Sequence, residues 1–516
     1  MIPFVRFLEQ FGMTTSISSP EVNLIEREEA TPAAVVSEGP VHRIRHTLAS
    51  RFAFLIITIA IVMSALAFGT VHYWTLGVFS LGAVTLIVLW VIDGWKLGTF
   101  RISRNPLQLS LLAMLALGCI QLLPFRDAGT GSTLRIPAVR TLSLDAYSTR
   151  LVLVQVTALL VYFAAVLIFT DSPHRLKLLV RTITIFGFFL AIFGLTQSFT
   201  SPTRVYWIRE LSQSTAFGPF INRHHFAGYM ELTLALPLGL LFTGSVERDK
   251  RFIYLFAAGL MGVALMMTNS RGGIISVVAE IVFLALVSGI RLRRRRRHHV
   301  EKRRTVTSTA VRAGLALALI VGLFMGVVLL GGEPALSRFV GTVNSDDPTT
   351  GRAHFWGVTL DIVKAHPLLG TGLGAFGVVY TAYDSRNGLF RLEQAHNDYL
   401  QVLSDGGLIG ALIGLSFLVI LFKMGFSKRE SKDNFRSGVA TGALAGCFAV
   451  LVHSFFDFTL HTTSNALLFL VLAALATMNG RVEEARSRHK RRRRSRVTQP
   501  ALPSHQSHSS AAATSA

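Results

Sequence analysis

The sequence is poor in cysteine and poor in charge. Two cysteines in 516 residues, Cys119 and Cys447, both inside apolar runs, exclude a disulfide framework and a cysteine-built metal site. They read as small core residues. Only 16% of residues are charged, against about 25% in an average soluble domain, and acidic residues are the scarcer sign, 29 against 51 Lys and Arg. No glycine-rich loop runs into Lys-Ser/Thr, and neither HExxH nor GxSxG occurs, so the signatures of phosphate-loop nucleotide enzymes, zinc proteases and serine hydrolases are missing. Residues 1–51 lack the basic start, short apolar centre and small-residue cleavage site of a signal peptide. Insertion is expected to begin at the first apolar span.

What the chain has in quantity is apolar sequence. It is 51% hydrophobic with a mean hydropathy of +0.49. A helix needs about 20 largely apolar residues to cross roughly 30 Å of hydrocarbon, where backbone groups must pair internally. Runs of about that length fall at 52–68, 71–92, 107–124, 150–170, 178–199, 224–243, 252–268, 272–290, 311–331, 396–422, 437–456 and 462–479. The expected fold is an all-α polytopic membrane protein of about twelve transmembrane helices. Its parts are a cytoplasmic N-terminal segment 1–51, a transmembrane domain 52–480, and a basic, low-complexity tail 481–516. Between the ninth and tenth spans lies a long connection, 332–395, with a helical stretch around 352–365. Ordered loops of that length are usually functional.

The net charge of +22 raises the question of nucleic acid. Its distribution answers otherwise. With both termini cytoplasmic, 38 of the 51 basic residues fall in inside segments, as the positive-inside rule requires. The tracts Arg291–Arg304 and Arg486–Arg496 adjoin spans and carry no interleaved aromatics, which suits anchors to anionic membrane lipid and not a nucleic-acid partner.

That orientation gathers the unusual polar residues on the outer face. Asn222, Arg223, His224 and His225 open the sixth span, and Asn269, Ser270 and Arg271 turn between the seventh and eighth. His396, Asn397 and Asp398 open the tenth, His453 and Asp457 close the eleventh, and His461 opens the twelfth. Each has a plainer reading: an arginine at a helix end can snorkel to lipid phosphate, and paired histidines can be interfacial. Arg271 is followed by Gly272 and Gly273, which permit close helix approach and leave room beside the guanidinium. Glu231 and Glu280 lie deeper in apolar helices, as structural partners of the arginines or as part of a polar path. Among His224, His225, His396, His453 and His461 no two have the His-x3-His spacing of a helical zinc site, and neither metal nor cofactor is expected. Gly370, Gly372, Gly374 and Gly377 read as a flexible turn more than a nucleotide cradle.

The most specific stretch is 351–422: GRAHFW, HPLLGTGLGAF, then AHNDYLQVLSDGGLIG entering an apolar span. His396-Asn397, nine residues, Gly407, two residues and Gly410 fit H-[NSQ]-x9-G-x2-[GTY]. With NRHHFAGYMEL at 222–232, NSRGG at 269–273 and HSFFDF at 453–458, the chain from about 150 to 480 resembles the O-antigen ligase and polymerase superfamily of bacterial inner-membrane glycosyltransferases. The resemblance implies a GT-C-like fold, a periplasmic site under the long loop, and metal-free, inverting transfer of a glycan from undecaprenyl diphosphate to a hydroxyl on a glycolipid, glycan or protein. It makes His396 the candidate base and Arg271, Arg223 and Arg352 the candidate diphosphate ligands, with Arg338 and Arg391 behind them. Asn397, Asp398, His225, Asn222, His453 and Asp457 are expected to support them. A polysaccharide polymerase and a protein O-oligosaccharyltransferase are the alternatives within the superfamily, and a transporter of inorganic-carbon type is the alternative outside it.

Overall fold

A computed structural model describes residues 46–124, 141–211, 216–296, 313–323, 325, 351–385, 392–431 and 433–478. Most of the N-terminal segment, the basic tail, the first part of the long loop, and Arg338 and Arg391 lie outside the described residues. The helices are α1 Leu48–Leu66, α2 Tyr73–Leu97, α3 Leu107–Gln121, α4 Ala146–Phe169, α5 Pro173–Thr200, α6 Arg223–Phe242, α7 Arg251–Met267 and α8 Arg271–Arg296. They continue with α9 Ala313–Leu323, then α10 Arg352–Ala365, α11 Phe376–Tyr383, α12 Asp398–Lys428, α13 Asn434–His453 and α14 Thr463–Thr477. Strand is confined to one antiparallel pair, Arg204–Val205 with Arg209–Glu210, among the described residues.

Among those residues nine helices are long and apolar enough to cross a membrane, and three shorter apolar ones, α3, α9 and α14, fall on the other three expected runs. The chain is a multi-pass membrane protein. Polar caps mark the helix starts: Asn222 accepts the His224 amide at 2.9 Å, Asn397 those of Tyr399 and Leu400 at 3.0 and 3.1 Å, and Asp433 that of Phe435 at 3.1 Å. Such caps are worth about 1 kcal/mol each.

α6, α13 and α14 form the centre and are buried on nearly every side, whereas α2 and α12 keep large apolar side chains facing outward. Where α6 crosses α13, Gly239 and Gly442 let the backbones touch: a Cβ on Gly239 would strike Gly442, and one on Gly442 would strike the Ala235 carbonyl. Small residues are the usual means of close packing in lipid, where no hydrophobic drive separates helix from solvent. Cys447 is buried in this contact region, but Cys119 is exposed on α3. An apolar environment outside the bundle suits a thiol as well as a core does, so hydropathy alone could not place it.

Two devices fix the ends of the bundle. At the end formed by the start of α1, the end of α2 and the start of α5, Arg101 bonds Asp93 at 2.6 Å and Asp171 at 2.7 Å, while Arg175 bonds the Ser50 hydroxyl and the Phe169 carbonyl, both at 2.9 Å. Towards the other end α12 is broken at Gly407, whose φ of 61° is left-handed. Its free amides and carbonyls are re-used by the preceding segment: Leu408 donates to Pro367 O at 2.8 Å, while Thr371 and Gly372 donate to Ser404 O and Asp405 O at 2.9 and 3.0 Å. The Gln121 amide adds bonds to Leu369 O and Asp405 O at 2.6 and 2.9 Å. The glycines expected to make a flexible turn are therefore pinned, because a broken helix in a membrane bundle needs its backbone groups satisfied by protein.

Gly407→Ala should destabilise the fold by on the order of 3 kcal/mol, from left-handed strain plus a collision with the Leu368 carbonyl. Thermal unfolding of the purified protein tests this, and an unchanged melting temperature would show that the break tolerates a side chain.

Candidate functional site

The polar residues that open α6, α8 and α12 and close α13 meet at one end of the bundle. Their centre is Asp457, 1% exposed. One oxygen, Oδ1, accepts the Phe458 amide at 2.9 Å and lies 3.3 Å from His396 Nδ1. The other, Oδ2, lies 3.5 Å from an Arg352 nitrogen and 3.6 Å from His224 Nδ1. Burial opposes ionisation, yet the His396 bond and the charges of His224, His396 and His225 hold the Asp457 carboxyl well below the usual carboxylate range.

His396 has a left-handed backbone, φ 50°, forced by its neighbours. The Ala395 amide is held by Gln401 Oε1 at 2.7 Å, and Asn397 is already committed as the cap of α12, so the turn falls on the histidine between them. Its ring packs edge-on to Phe458 at 4.8 Å and parallel to Phe355 at 6.2 Å. Nδ1 faces Asp457, and Nε2 makes no bond among the described residues.

The turn Asn269–Gly273 is built for close approach. Asn269 takes a φ of 54°. Ser270 caps α8 by accepting the Gly273 amide at 3.3 Å, and Arg271 is the first helical residue. A Cβ on Gly272 would sit 2.6 Å from His453 Cδ2, so the missing side chain is what admits His453. Arg271 lies near enough to Arg352 for their charges to repel, and Arg223 and Arg352 both act on His224. Three of the five expected arginines therefore share this end.

The supporting residues have separate duties. Asn222 caps α6. Asn397 also bonds the Phe455 carbonyl at 3.2 Å. Asp398 does not bond His396; it takes the Ser454 hydroxyl at 2.7 Å and His461 Nδ1 at 2.8 Å. His225 is buried, its ring edge-on to Phe458 at 4.9 Å, and its Nε2 has no partner among the described residues. His224 is the member of the pair that faces the polar cluster. It bonds Ser270 Oγ at 2.8 Å, beyond which come His453 and Glu231. Spacing held a clue to this: residues 224 and 231, seven apart, share one face of a helix, and 225 does not. Glu231, a buried partner in this chain, bonds histidine rather than arginine.

Among the described residues no group of three or more His, Cys, Asp or Glu side chains is arranged to hold a metal ion. The arrangement is suited instead to a proton acceptor beside a cationic surface. Residues 256–415 match the family model described as O-antigen ligase, which supports the O-antigen ligase superfamily for this chain and, in general terms, a glycosyltransferase-like enzyme of ligase or polymerase type. The match includes Arg271, Arg352 and the His396–Gly410 motif and ends before His453, Asp457 and His461. No curated protein matches the chain.

Burial would pull His461 down, but its bond to Asp398 and the nearby Asp405 carboxylate raise it above the ordinary 6.5. Its pair with Asp398 then contributes fully below pH 6.5 and is lost as pH rises through the higher folded value. The melting-temperature gap between wild type and Asp398→Asn should accordingly be wider at pH 6 than at pH 9. A gap that is the same at both would show that the pair is uncharged.

Proposed function

We propose that the chain is a glycosyltransferase of O-antigen ligase type. It moves a glycan from undecaprenyl diphosphate to an acceptor hydroxyl at the periplasmic face of a bacterial inner membrane, with both termini cytoplasmic. The observation that carries this reading is the motif histidine, His396, set with Nδ1 towards the buried Asp457 carboxylate while Arg352 approaches the other oxygen of the same group.

The chemistry follows from that placement. The acceptor oxygen attacks the anomeric carbon from the side opposite the diphosphate, the carbon–oxygen bond to the diphosphate breaks, and configuration inverts. The electron pair leaves with the diphosphate, and the acceptor proton passes to His396 Nε2. Asp457 stabilises the imidazolium that results, as an anion facing the other ring nitrogen. A positioned base contributes about 10²–10⁴-fold.

Diphosphate is a good leaving group, so acid catalysis is a minor need. What helps is fixed positive charge where negative charge accumulates. Arginine is suited to this because its planar fork binds phosphate through two bonds and stays protonated. Arg271, Arg223 and Arg352 fill that role in this reading, with the polyprenyl chain lying in lipid between helices.

His396→Ala should abolish glycan transfer in membranes that still contain the protein at wild-type level; full transfer by that variant would overturn the base assignment. Arg271→Lys keeps the charge and loses the fork, and should lower kcat/KM at least about tenfold. Unchanged kinetics would remove Arg271 from the diphosphate site. The product of the wild-type reaction, a longer polymer or a new conjugate, separates polymerase from ligase.

A further inference from the structure

His396 and His224 face the same buried carboxylate, but their Nδ1 atoms have different partners. For His396 the partner is Asp457 itself, at 3.3 Å. A carboxylate can only accept, so the proton sits on Nδ1 and Nε2 is left as a lone pair. For His224 the partner is the Ser270 hydroxyl at 2.8 Å, with Asp457 Oδ2 further off at 3.6 Å. A hydroxyl both gives and takes. The direction of its bond is set by what stands behind it.

Behind Ser270 Oγ is His453 Nε2, at 3.4 Å. His453 Nδ1 lies 3.2 Å from Glu231 Oε1, and the other Glu231 oxygen takes the Ser276 hydroxyl. Glu231 and His453 are both 0% exposed. Net charge in so dry a place is expensive, so the pair is neutral as a whole. With the Ser276 proton on its bond to Oε2, two arrangements satisfy this: an imidazolium facing a carboxylate, or a neutral imidazole facing a carboxylic acid protonated on Oε1. In the first, both ring nitrogens carry hydrogen. In the second, the acid donates to Nδ1, and the ring proton is on Nε2. Either way His453 Nε2–H donates to Ser270.

The Ser270 hydroxyl is then free to donate to His224 Nδ1, which puts the His224 ring proton on Nε2. Taking up a second proton would leave that N–H in place. His224 is 21% exposed; it follows Arg223 in the chain, feels Arg352, and bonds the serine that immediately precedes Arg271. An N–H in that company faces an anion.

We propose that His224 is a hydrogen-bond donor to the diphosphate of the donor substrate, and that Ser270, His453 and Glu231 are positioning residues that hold its N–H outward. The inference rests on the lipid-diphosphate reading above. The two histidines divide the work: His396 takes a proton from the acceptor, while His224 keeps its own and steadies the charge growing on the leaving group.

The test is the affinity of the full-length protein in lipid nanodiscs for undecaprenyl diphosphate. His224→Ala should weaken binding about tenfold, the scale of one bond to a charged group. Ser270→Ala should weaken it as much without touching the ligand, because Asp457 is then the acceptor beside His224 Nδ1 and draws the ring proton there. Ser270→Thr keeps the hydroxyl and should bind near wild type. The His224→Ala, Ser270→Ala double variant should match either single variant within about twofold, because one broken relay cannot be broken twice. Additive losses, or equal affinities of the two Ser270 variants, would mark Ser270 as merely structural and overturn the relay. Wild type that fails to bind undecaprenyl diphosphate overturns the donor reading together with the relay. Wild type that binds while His224→Ala binds equally well overturns this inference alone.

Discussion

A buried carboxylate at the end of a membrane bundle has to be matched by groups that come to it, and Asp457 draws its partners from segments far apart in sequence. His396 arrives from the start of α12 and Arg352 from the start of α10, Phe458 offers its amide locally, and His224, at the start of α6, lies 3.6 Å away with its own bond to Ser270. Removing one partner leaves the charge uncompensated, at a cost of several kcal/mol. The same interaction therefore holds the loop helix α10 against the bundle and aims the motif histidine. Stability and chemistry share one carboxylate, so the site cannot loosen without part of the fold loosening with it.

The apolar packing beneath makes this convergence possible. Glycines at the crossing of α6 and α13 bring the two helices into backbone contact, and that spacing lets Glu231 on one reach His453 on the other. Gly272 adds the third helix by leaving room for the His453 ring. Exchanging any of these for alanine would separate the polar residues before it disturbed them chemically. At the opposite end Arg101, Asp93, Asp171 and Arg175 pair with one another, and these ion pairs tie together the helix ends that meet there.

Hydropathy and length disclosed the helices, because the requirement that backbone pair internally acts on every residue of a span. The twelve expected runs all contain apolar helix, though among the described residues three of the helices are shorter than a full crossing. The motif around His396 was also legible, and so was the set of polar residues at one end. What could not be read was pairing across long separations: Asp398 with His461, or Gln121 with Asp405, since neither leaves a local pattern. Gly407 was visible as a motif glycine, but its reason, a left-handed break whose amides bond residues 367 and 368, depends on a segment forty residues back. Adjacent histidines at 224 and 225 needed the helical face of Glu231 to be told apart.

Three consecutive residues, His396, Asn397 and Asp398, illustrate why a short motif can be so constrained. The first has to turn its backbone left-handed, the second caps the helix, and the third ties it to the segment after α13 through Ser454 and His461. None can take over a neighbour's duty, because each faces a different direction. A further electrostatic consequence follows. His461 with Asp398, and His453 with Glu231, are each neutral as protonated pairs, and Asp457 offsets part of Arg352. The histidines therefore add little net field at this end. Attraction for an anion has to come from the arginines, while the histidines decide, by tautomer, which atoms meet it.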